Sequence, residues 1–354
     1  MLNIAIIVIS FDGVGDKEFE KLARDSKNYP NIAKFKEQSL YRGNLKTIFV
    51  SNTQPVHTTI STGKLPREHG VISNYQRPNS HRWVRKAKKI RSVTIWDMAN
   101  KRSMDTAAIF WPVTCGAKIR WNMPGMCVGS HLFQLRSLLK HGRELIGINR
   151  QAQQPYLDNF AAAVACDLFR THSPDLTLIH LLAYDAIRHK VGSKSEELNI
   201  ARKSLDKNLG LILAAADKRT VLICSDHSHL DVEHTIDLDD RFGADLYEQC
   251  GGCAFFKRRM DDIESYPWFG RFLTRNEMEE SGYADLAACG IAARVGYSFG
   301  NVAYMSNHGY PADYEDYRVF YAVRGEAFTP GSLVSASVGD VREVTEVVMR
   351  ELGL

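Results

Sequence analysis

The sequence lacks several patterns that would place it in a common class of protein. No run of about 18 consecutive apolar residues occurs, so no membrane-spanning helix and no membrane partner are predicted. It has no glycine-rich phosphate loop, which excludes the P-loop nucleotide hydrolases. It also has no Pro/Ser-rich linker, repeat or low-complexity tract. We therefore expect residues 1–354 to form one domain.

Cysteine is scarce and irregularly spaced. Seven cysteines, an odd number in a long chain, argue against a disulfide framework and predict reduced thiols and a cytoplasmic protein. The apolar start at residues 2–10 has no basic region before it and no small-residue cleavage site after it, so we interpret it as a buried strand. Cys250 and Cys253 have no second pair at zinc-ribbon spacing, and incidental thiols in a loop are expected.

Charge of either sign is modest. The net charge of +4 and pI of 8.6 are compatible with a small anionic substrate but too weak to imply nucleic acid. The basic run at residues 82–91 is interpreted as a solvated surface segment, with a phosphate-steering patch as the alternative. The sequence does not determine the oligomeric state.

Apolar β-rich runs alternate with helical patterns, which predicts an α/β fold with a mostly parallel central sheet and helices on both faces. The predicted strands are Ile4–Ser10, Thr106–Ile109, Leu176–Leu182, Thr220–Ser225 and Val319–Val323. The predicted helices are Glu18–Asp25, Asn31–Glu37, Val93–Lys101, Tyr156–Arg170, Ser193–Asp217 and Val341–Leu352. The alternation breaks down at about 230–300, where we expect a small cap or insertion.

Carboxylates and histidines cluster just after the predicted strands. The clusters are Asp12, Asp185 with His189, Asp226 with His227, and His308. Functional groups of parallel sheets collect at the carboxyl edge of the strands, so these clusters are expected to meet. Mixed oxygen and nitrogen donors suit Zn²⁺ first and Mn²⁺ or Fe²⁺ second, and the number of donors is sufficient for two divalent metal ions.

The polar segment 51–63 is the obvious place for a nucleophile. A hydroxyl needs a neighbouring base or a metal ion to attack at neutral pH. Thr53 is one of several hydroxyls there, and an N-cap of the following helix is the competing interpretation.

These residues resemble the nucleotide pyrophosphatase/phosphodiesterase (type I phosphodiesterase) family of the alkaline phosphatase superfamily. The family's catalytic segment has a Thr, then aromatic-Pro-Asn-His, a Thr-Gly step, Pro-Glu-x-His-Gly-Ile and a later Asn. The matching residues here are Thr53-Gln54-Pro55-Val56-His57, Thr62-Gly63, Pro66-Arg67-Glu68-His69-Gly70-Val71 and Asn74. Further matches, in the same order, are Phe11-Asp12-Gly13, Ile95-Trp96, Phe110-Trp111-Pro112, Asp185 with His189, Ser225-Asp226-His227 and Asn307-His308-Gly309-Tyr310.

The resemblance implies an alkaline-phosphatase-like sandwich and a hydrolase of phosphodiesters or pyrophosphates. One zinc ion would be held by Asp185, His189 and His308. The other would be held by the side chains Asp12, Asp226, His227 and Thr53. Thr53 would attack phosphorus to form a phosphothreonine, and Asn74 would donate to a phosphoryl oxygen. In such two-metal sites the ions lie about 3.5–4 Å apart.

Several positions depart from the family pattern. Gln54 replaces an aromatic residue that helps to hold a nucleobase, which makes nucleotide substrates less secure. Arg188 stands where the family has a Gly, directly before His189. We expect its side chain to face solvent, and the alternative is that it lies near a second phosphate of the substrate. His57, His69 and His229 are left out of the predicted metal set. The leaving-group pocket is expected to involve the insertion and the side chains of Tyr75, Trp111 and Trp121.

Other functions remain open at this point. A phosphonate hydrolase of the phosphonoacetate type, a phosphomonoesterase or a phosphomutase could use the same scaffold. Monoester hydrolysis needs extra cationic groups, which only Arg188 or the basic run could obviously supply, so diester or pyrophosphate cleavage is preferred. A pseudoenzyme that binds phosphate compounds and a nucleic-acid-binding module are the weaker alternatives.

Overall fold

The computed structural model describes residues 5–76, 82–125, 132–142, 155–243, 247–314, 317–331 and 337–354. The strands are β1 Ile6–Phe11, β2 Leu40–Lys46, β3 Thr106–Ile109, β4 Trp121–Met123, β5 Leu176–Leu181, β6 Thr220–Cys224, β7 Leu230–Ile236, β8 Tyr247–Gln249, β9 Cys253–Phe256, β10 Phe269–Phe272, β11 Cys289–Ala293, β12 Gly296–Phe299, β13 Ser306–Asn307, β14 Arg318–Arg324 and β15 Gly339–Asp340. The helices are α1 Asp16–Arg24, α2 Pro30–Glu37, α3 Thr53–Thr62, α4 Pro66–His69, α5 Ile95–Lys101, α6 Leu132–His141, α7 Tyr156–Thr171, α8 Ala183–Val191, α9 Leu198–Ala215, α10 Asp239–Phe242, α11 Arg275–Ser281 and α12 Glu343–Leu352.

The central sheet has eight strands in the order β15-β2-β14-β6-β1-β5-β3-β4. Strand β1 pairs in parallel with β5 and β6 at its centre. Strand β14 runs antiparallel to both of its neighbours, and the other seven strands share one direction. The central strands are continuous apolar runs because both of their faces are covered.

Helices cover both faces of this sheet. Ile7, Ile9 and Phe11 of β1 pack on one face, against the buried sides of α1, α2, α7, α8 and α9. The alternate residues Ile6 and Val8 pack on the other face, against α3, α5 and α12. Because successive side chains of a strand point to opposite faces of the sheet, alternate residues of β1 pack into two separate hydrophobic cores.

The described residues between 230 and 307 lie outside the central sheet. They contribute a four-stranded sheet, in the order β10-β11-β9-β8, and a three-stranded sheet, in the order β12-β7-β13. A third hydrophobic cluster built on Phe256, Trp268 and Phe299 packs between these elements. The breakdown of the α/β alternation near residue 230 therefore coincides with a change of architecture.

The predicted strands and helices are present, with ends that differ by up to five residues. Strand β1 begins at Ile6, and Ile4 of the predicted strand lies outside the described residues. The largest error is α9, which begins at Leu198 rather than Ser193. Strand β2 was not predicted, because its sequence LYRGNLK mixes charged and glycine residues with apolar ones. In the part of the chain that the structure describes, no helix is long and apolar enough to cross a membrane.

Candidate metal centre

The predicted site residues that follow strands lie at the carboxyl edge of the central sheet. Asp12 follows β1, and its backbone N–H donates to the Leu181 carbonyl of β5 at 3.0 Å. Asp226 and His227 follow β6, the other neighbour of β1. Adjacent parallel strands thus deliver both clusters to one place.

Two helices and one outer strand position the remaining predicted site residues. Thr53 is the first residue of α3, and Asp185 lies in the first turn of α8. His189 lies one helical turn after Asp185, so both side chains project from the same face of α8. His308 follows the short strand β13 of the outer three-stranded sheet. The site therefore forms where the outer sheet meets the central one.

The first group of metal-ligand atoms surrounds Nε2 of His227. Asp12 Oδ1 lies 3.4 Å from this nitrogen, and Asp226 Oδ2 lies 3.2 Å from it. The hydroxyl Oγ1 of Thr53 lies 3.4 Å from the same nitrogen. Asp12, Asp226 and His227 together form a group that could hold a metal ion.

The second group surrounds Asp185. His189 Nε2 lies 3.4 Å from Asp185 Oδ1. The ring of His308 lies 5.1 Å from that of His189 and stacks at 4.0 Å on His227, which connects the two groups. Asp185 also forms potential metal-binding groups with His189 and His229, and with His227 and His308.

The first group fits a cation better than it fits hydrogen bonding alone. Asp12 Oδ1 and Asp226 Oδ2 are buried and have no hydrogen-bond partner. Burial raises the pKa of Asp12, and the neighbouring Asp226 carboxylate raises it further. Buried, uncompensated carboxylate oxygens are costly, and a divalent cation would remove that cost.

The second group combines a carboxylate with imidazoles. Burial lowers the pKa of His308, and the neighbouring His227 lowers it further. Burial raises the pKa of Asp185, but His189 and His229 hold it well below its ordinary value. An ionised Asp185 and a neutral His308 are in the protonation states that bind metal ions.

Outer residues fix the orientation of the candidate ligands. His180 Nε2 lies 2.9 Å from Asp12 Oδ2, and the Gly13 N–H donates to Asp226 Oδ1 at 3.1 Å. Each carboxylate is thus held by one oxygen while its other oxygen faces His227. Asn52 Oδ1 lies 3.0 Å from His308 Nδ1, which leaves Nε2 of that ring for the site. Such partners raise the basicity of metal ligands and set the histidine tautomer.

Sequence reasoning missed these outer residues. His180 could have been noticed as a histidine inside the apolar strand β5, where it lies beside Ser10 of β1. Asn52 gave no comparable signal, because only the fold brings it to His308. Asn307, which was part of a quoted motif, points away and donates to Ser298 Oγ at 2.7 Å.

The nucleophile segment has its own supports. The Gln54 N–H donates to Asn74 Oδ1 at 2.9 Å, so the Asn74 amide is held with its oxygen used and its NH₂ free to donate to a ligand. Thr53 opens α3, where the positive end of the helix dipole favours negative charge. The structure therefore places the hydroxyl, an amide donor and a helix N-terminus side by side.

The chain is similar to a known family of proteins. A family model described as type I phosphodiesterase / nucleotide pyrophosphatase matches residues 6–273. The chain belongs to this family.

Two curated members illustrate the distance within the family. Ectonucleotide pyrophosphatase/phosphodiesterase family member 7 of Rattus norvegicus is 22% identical over 240 residues, which is 63% of this chain and 49% of that protein. Venom phosphodiesterase 2 of Crotalus adamanteus is 23% identical over 203 residues, which is 55% of this chain and 23% of that protein. This chain thus spans half or less of the length of these relatives.

Solved structures confirm the predicted fold. Murine ectonucleotide pyrophosphatase / phosphodiesterase 5 superposes with a TM-score of 0.75 at 15% identity, over 99% of this chain and 95% of that chain. An inactive variant of the same murine protein was solved in complex with AMP and superposes with a TM-score of 0.74. The α/β, alkaline-phosphatase-like architecture is therefore shared with this family.

Two of the histidines left out of the metal set support the family's catalytic segment. His57 Nδ1 lies 2.8 Å from the Thr53 carbonyl, and its Nε2 lies 2.9 Å from Ser10 Oγ. His69 Nε2 lies 3.0 Å from Thr59 Oγ1, and its Nδ1 accepts the Val71 N–H at 3.1 Å. Both hydrogen-bond to the structure around the loop, as the sequence predicted.

Several expectations about neighbouring side chains were wrong. Arg188 is buried rather than solvent-facing, because its guanidinium donates to Tyr184 Oη at 2.8 Å and to the His229 carbonyl at 3.2 Å. Trp111 is fully buried and donates to Ser61 Oγ, so it lines no pocket.

Trp121 stacks at 4.8 Å on His172, which precedes the amino end of β5, away from the site.

Cys250 and Cys253 are free and buried, but Cys253 begins β9 instead of lying in a loop. Most of the basic run at 82–91 is exposed, in agreement with its interpretation as a surface segment.

Tyr75 lies near Tyr304, an aromatic residue beside the candidate site that sequence reasoning missed. It is 38% exposed, as is Tyr304, whose ring lies 4.6 Å from that of His189. The two tyrosines are close enough for the negative phenolate of one to raise the pKa of the other, in addition to the effect of burial. They provide half-exposed aromatic surface beside Asp185.

Proposed function

We propose that this chain hydrolyses phosphodiester or pyrophosphate bonds, with Thr53 as nucleophile and two divalent metal ions, Zn²⁺ in the first place and Mn²⁺ as the alternative. The observation that carries the proposal is the position of Thr53 Oγ1. It lies 3.4 Å from His227 Nε2, beside two buried carboxylate oxygens that have no hydrogen-bond partner. In that position the hydroxyl would share a metal ion with the two carboxylates, and the ion would lower the pKa of the hydroxyl for attack on phosphorus.

The two ions would be held by different residue sets. Asp12, Asp226, His227 and Thr53 fit one ion. Asp185, His189 and His308 fit the other. When bound, such ions supply Lewis-acid stabilisation of charged oxygens and lower the pKa of a coordinated hydroxyl.

The residues of the chain then perform a double displacement. Thr53 Oγ1 loses its proton to water and forms a bond to phosphorus, while the bond from phosphorus to the leaving oxygen breaks and its electron pair stays on that oxygen. A water oxygen next bonds to phosphorus, and Thr53 Oγ1 departs and regains a proton. No separate histidine base is required, and His57 is already engaged with Thr53 O and Ser10.

Asn74 would act on the phosphoryl group. Its amide oxygen is occupied by the Gln54 N–H, so its NH₂ group is the part available to a phosphoryl oxygen. A fixed donor of this kind stabilises the charge that develops in the transition state.

The surroundings favour a diester or anhydride over a monoester. A phosphomonoester carries an additional negative charge, and the obvious nearby cation, Arg188, already donates to Tyr184 and His229. The AMP complex of the murine relative supports a small nucleotide-like substrate, and Tyr75 and Tyr304 offer surface for an aromatic leaving group. Phosphonate-ester hydrolysis on the same residues is the second candidate.

Hydrolysis assays on metal-analysed protein would test the proposal. We would compare a chromogenic phosphodiester, a phosphomonoester and a phosphonate ester, before and after chelation and zinc restoration. Diester cleavage that is lost on chelation and restored by zinc is the expected result. Bound metal without activity on any of the three esters would contradict it and support a non-catalytic binding protein.

A further inference from the structure

His229 is a buried histidine next to Asp185 that the family pattern does not require. Its Nε2 lies 2.6 Å from Asp185 Oδ1, closer than Nε2 of His189, which lies 3.4 Å from the same oxygen. The His229 ring is 4.6 Å from that of His189 and 5.5 Å from that of His308. Three imidazoles therefore surround one carboxylate.

The ring of His229 is fixed in the same way as the ring of His189. Ser306 provides both anchors, since its carbonyl oxygen lies 2.8 Å from His189 Nδ1 and its Oγ lies 2.8 Å from His229 Nδ1. Each ring consequently presents Nε2 to Asp185. Asp185, His189 and His229 together form a group whose ligand atoms lie close enough to hold one metal ion. The contacts at Nδ1 are those expected of metal-binding histidines, which bond through their other nitrogen to an outer group.

Two further residues adapt the fold to His229. Arg188, which replaces the family's glycine, donates to the His229 carbonyl at 3.2 Å. Gly13 has φ +71, and a Cβ on it would lie 2.8 Å from His229 Nε2. Arg188 therefore contacts the backbone of His229, and Gly13 leaves the space that the imidazole fills.

We propose that His229 is an additional ligand of the metal ion held by Asp185, His189 and His308. This inference rests on the proposed function, because it assumes that an ion binds there. The site would then have one carboxylate and three imidazoles, whereas the other has two carboxylates, one imidazole and a hydroxyl. The imidazole-rich site should prefer Zn²⁺, Co²⁺ or Ni²⁺ over Mg²⁺ or Mn²⁺. The competing role for His229 is a hydrogen-bond donor to Asp185 alone.

NMR of the native protein loaded with NMR-active cadmium tests this directly. Scalar coupling across the metal–nitrogen bond identifies each histidine ring that binds a given cadmium ion. We expect three rings to couple to one cadmium resonance and one ring to the other. Two rings on the first resonance, with His229 uncoupled, would overturn the inference and leave the two-metal proposal intact. Native protein that takes up no divalent ion would overturn both.

A variant gives a second readout. His229→Gln removes the imidazole but keeps a polar side chain, and we expect Co²⁺ to bind one of its two sites at least about ten-fold more weakly in chelator competition. The visible absorption of that Co²⁺ should shift as a nitrogen ligand is lost. His172→Gln, an exposed histidine stacked on Trp121, is the matched control and should match the native protein. Native affinity and an unshifted spectrum in His229→Gln would overturn the inference.

Discussion

His180 Nε2 lies 2.9 Å from Oδ2 of Asp12, in the interior between two paired strands. His180→Phe should leave that oxygen without a donor and lower metal affinity by about 10–100-fold. His180→Gln keeps an N–H donor and should lose less. Chelator competition on the three proteins gives the ranking. Equal affinities would mean that His180 does not position Asp12.

Thr53→Ala should abolish turnover, because the proposed covalent intermediate cannot form without a hydroxyl. We expect kcat to fall by at least about a thousand-fold, with metal content near that of the native protein. Thr53→Ser restores a hydroxyl and should recover part of the activity. Steady-state kinetics together with metal analysis separate the two effects, and retained turnover in Thr53→Ala would refute the assignment.

Asn74→Asp isolates the proposed donor role of Asn74. The new carboxylate can still accept the Gln54 N–H, so the start of α3 keeps its support. It cannot donate to a phosphoryl oxygen and repels it instead. We expect kcat/KM to fall by about 10²–10³-fold with unchanged metal content. A change of less than three-fold would assign Asn74 a purely structural role.

Gly13→Ala tests the space beside His229. The alanine would have to adopt φ +71 with its Cβ against the imidazole, so we expect both destabilisation, by about 1–3 kcal/mol, and weaker metal binding. Gly116→Ala has a similar φ of +78 but nothing within 4 Å of the added Cβ, so it controls for backbone strain alone. Urea unfolding and metal titration should separate the variants. Equal metal affinities would show that the imidazole has room to move.

His69 should make stability depend on pH. Burial lowers its pKa from 6.5 to about 4. Between pH 6.5 and pH 4, His69 is protonated in the unfolded chain but remains neutral in the folded protein. The free energy of unfolding therefore decreases as the pH falls through this window, and it has its full value above pH 6.5. The slope should approach about 1.4 kcal/mol per pH unit.

His69→Asn keeps an acceptor for the Val71 N–H but has no titrating ring. It should flatten this part of the profile of unfolding free energy against pH. Parallel profiles for the native protein and the variant would place the pH dependence elsewhere.

Sequence reasoning located the sheet edge that carries the candidate metal centre, because the central strands are short, continuous apolar runs followed closely by charged residues. Asp12 and Asp226 could be placed from that rule alone. An apolar run predicts a strand but not its direction, so the antiparallel orientation of β14 could not be predicted. Arg188 was wrongly expected to be exposed, because most arginines are. Its burial depends on a hydrogen bond to the carbonyl of His229, which the local sequence does not reveal. The partners of His229 and His308 depend on contacts across the fold and are invisible in local patterns.

The two ligand groups draw on positions from 12 to 308, and His308 lies within the last sixth of the chain. At roughly 5–20 residues per second, a ribosome would need about 15–60 s between Asp12 and His308. During that interval Asp185 would lack His308, whereas the group of Asp12, Asp226 and His227 is complete once residue 227 has been made. The ion proposed at Asp185 would therefore bind later than the ion proposed at Asp12, because its site requires the outer sheet to be made and docked.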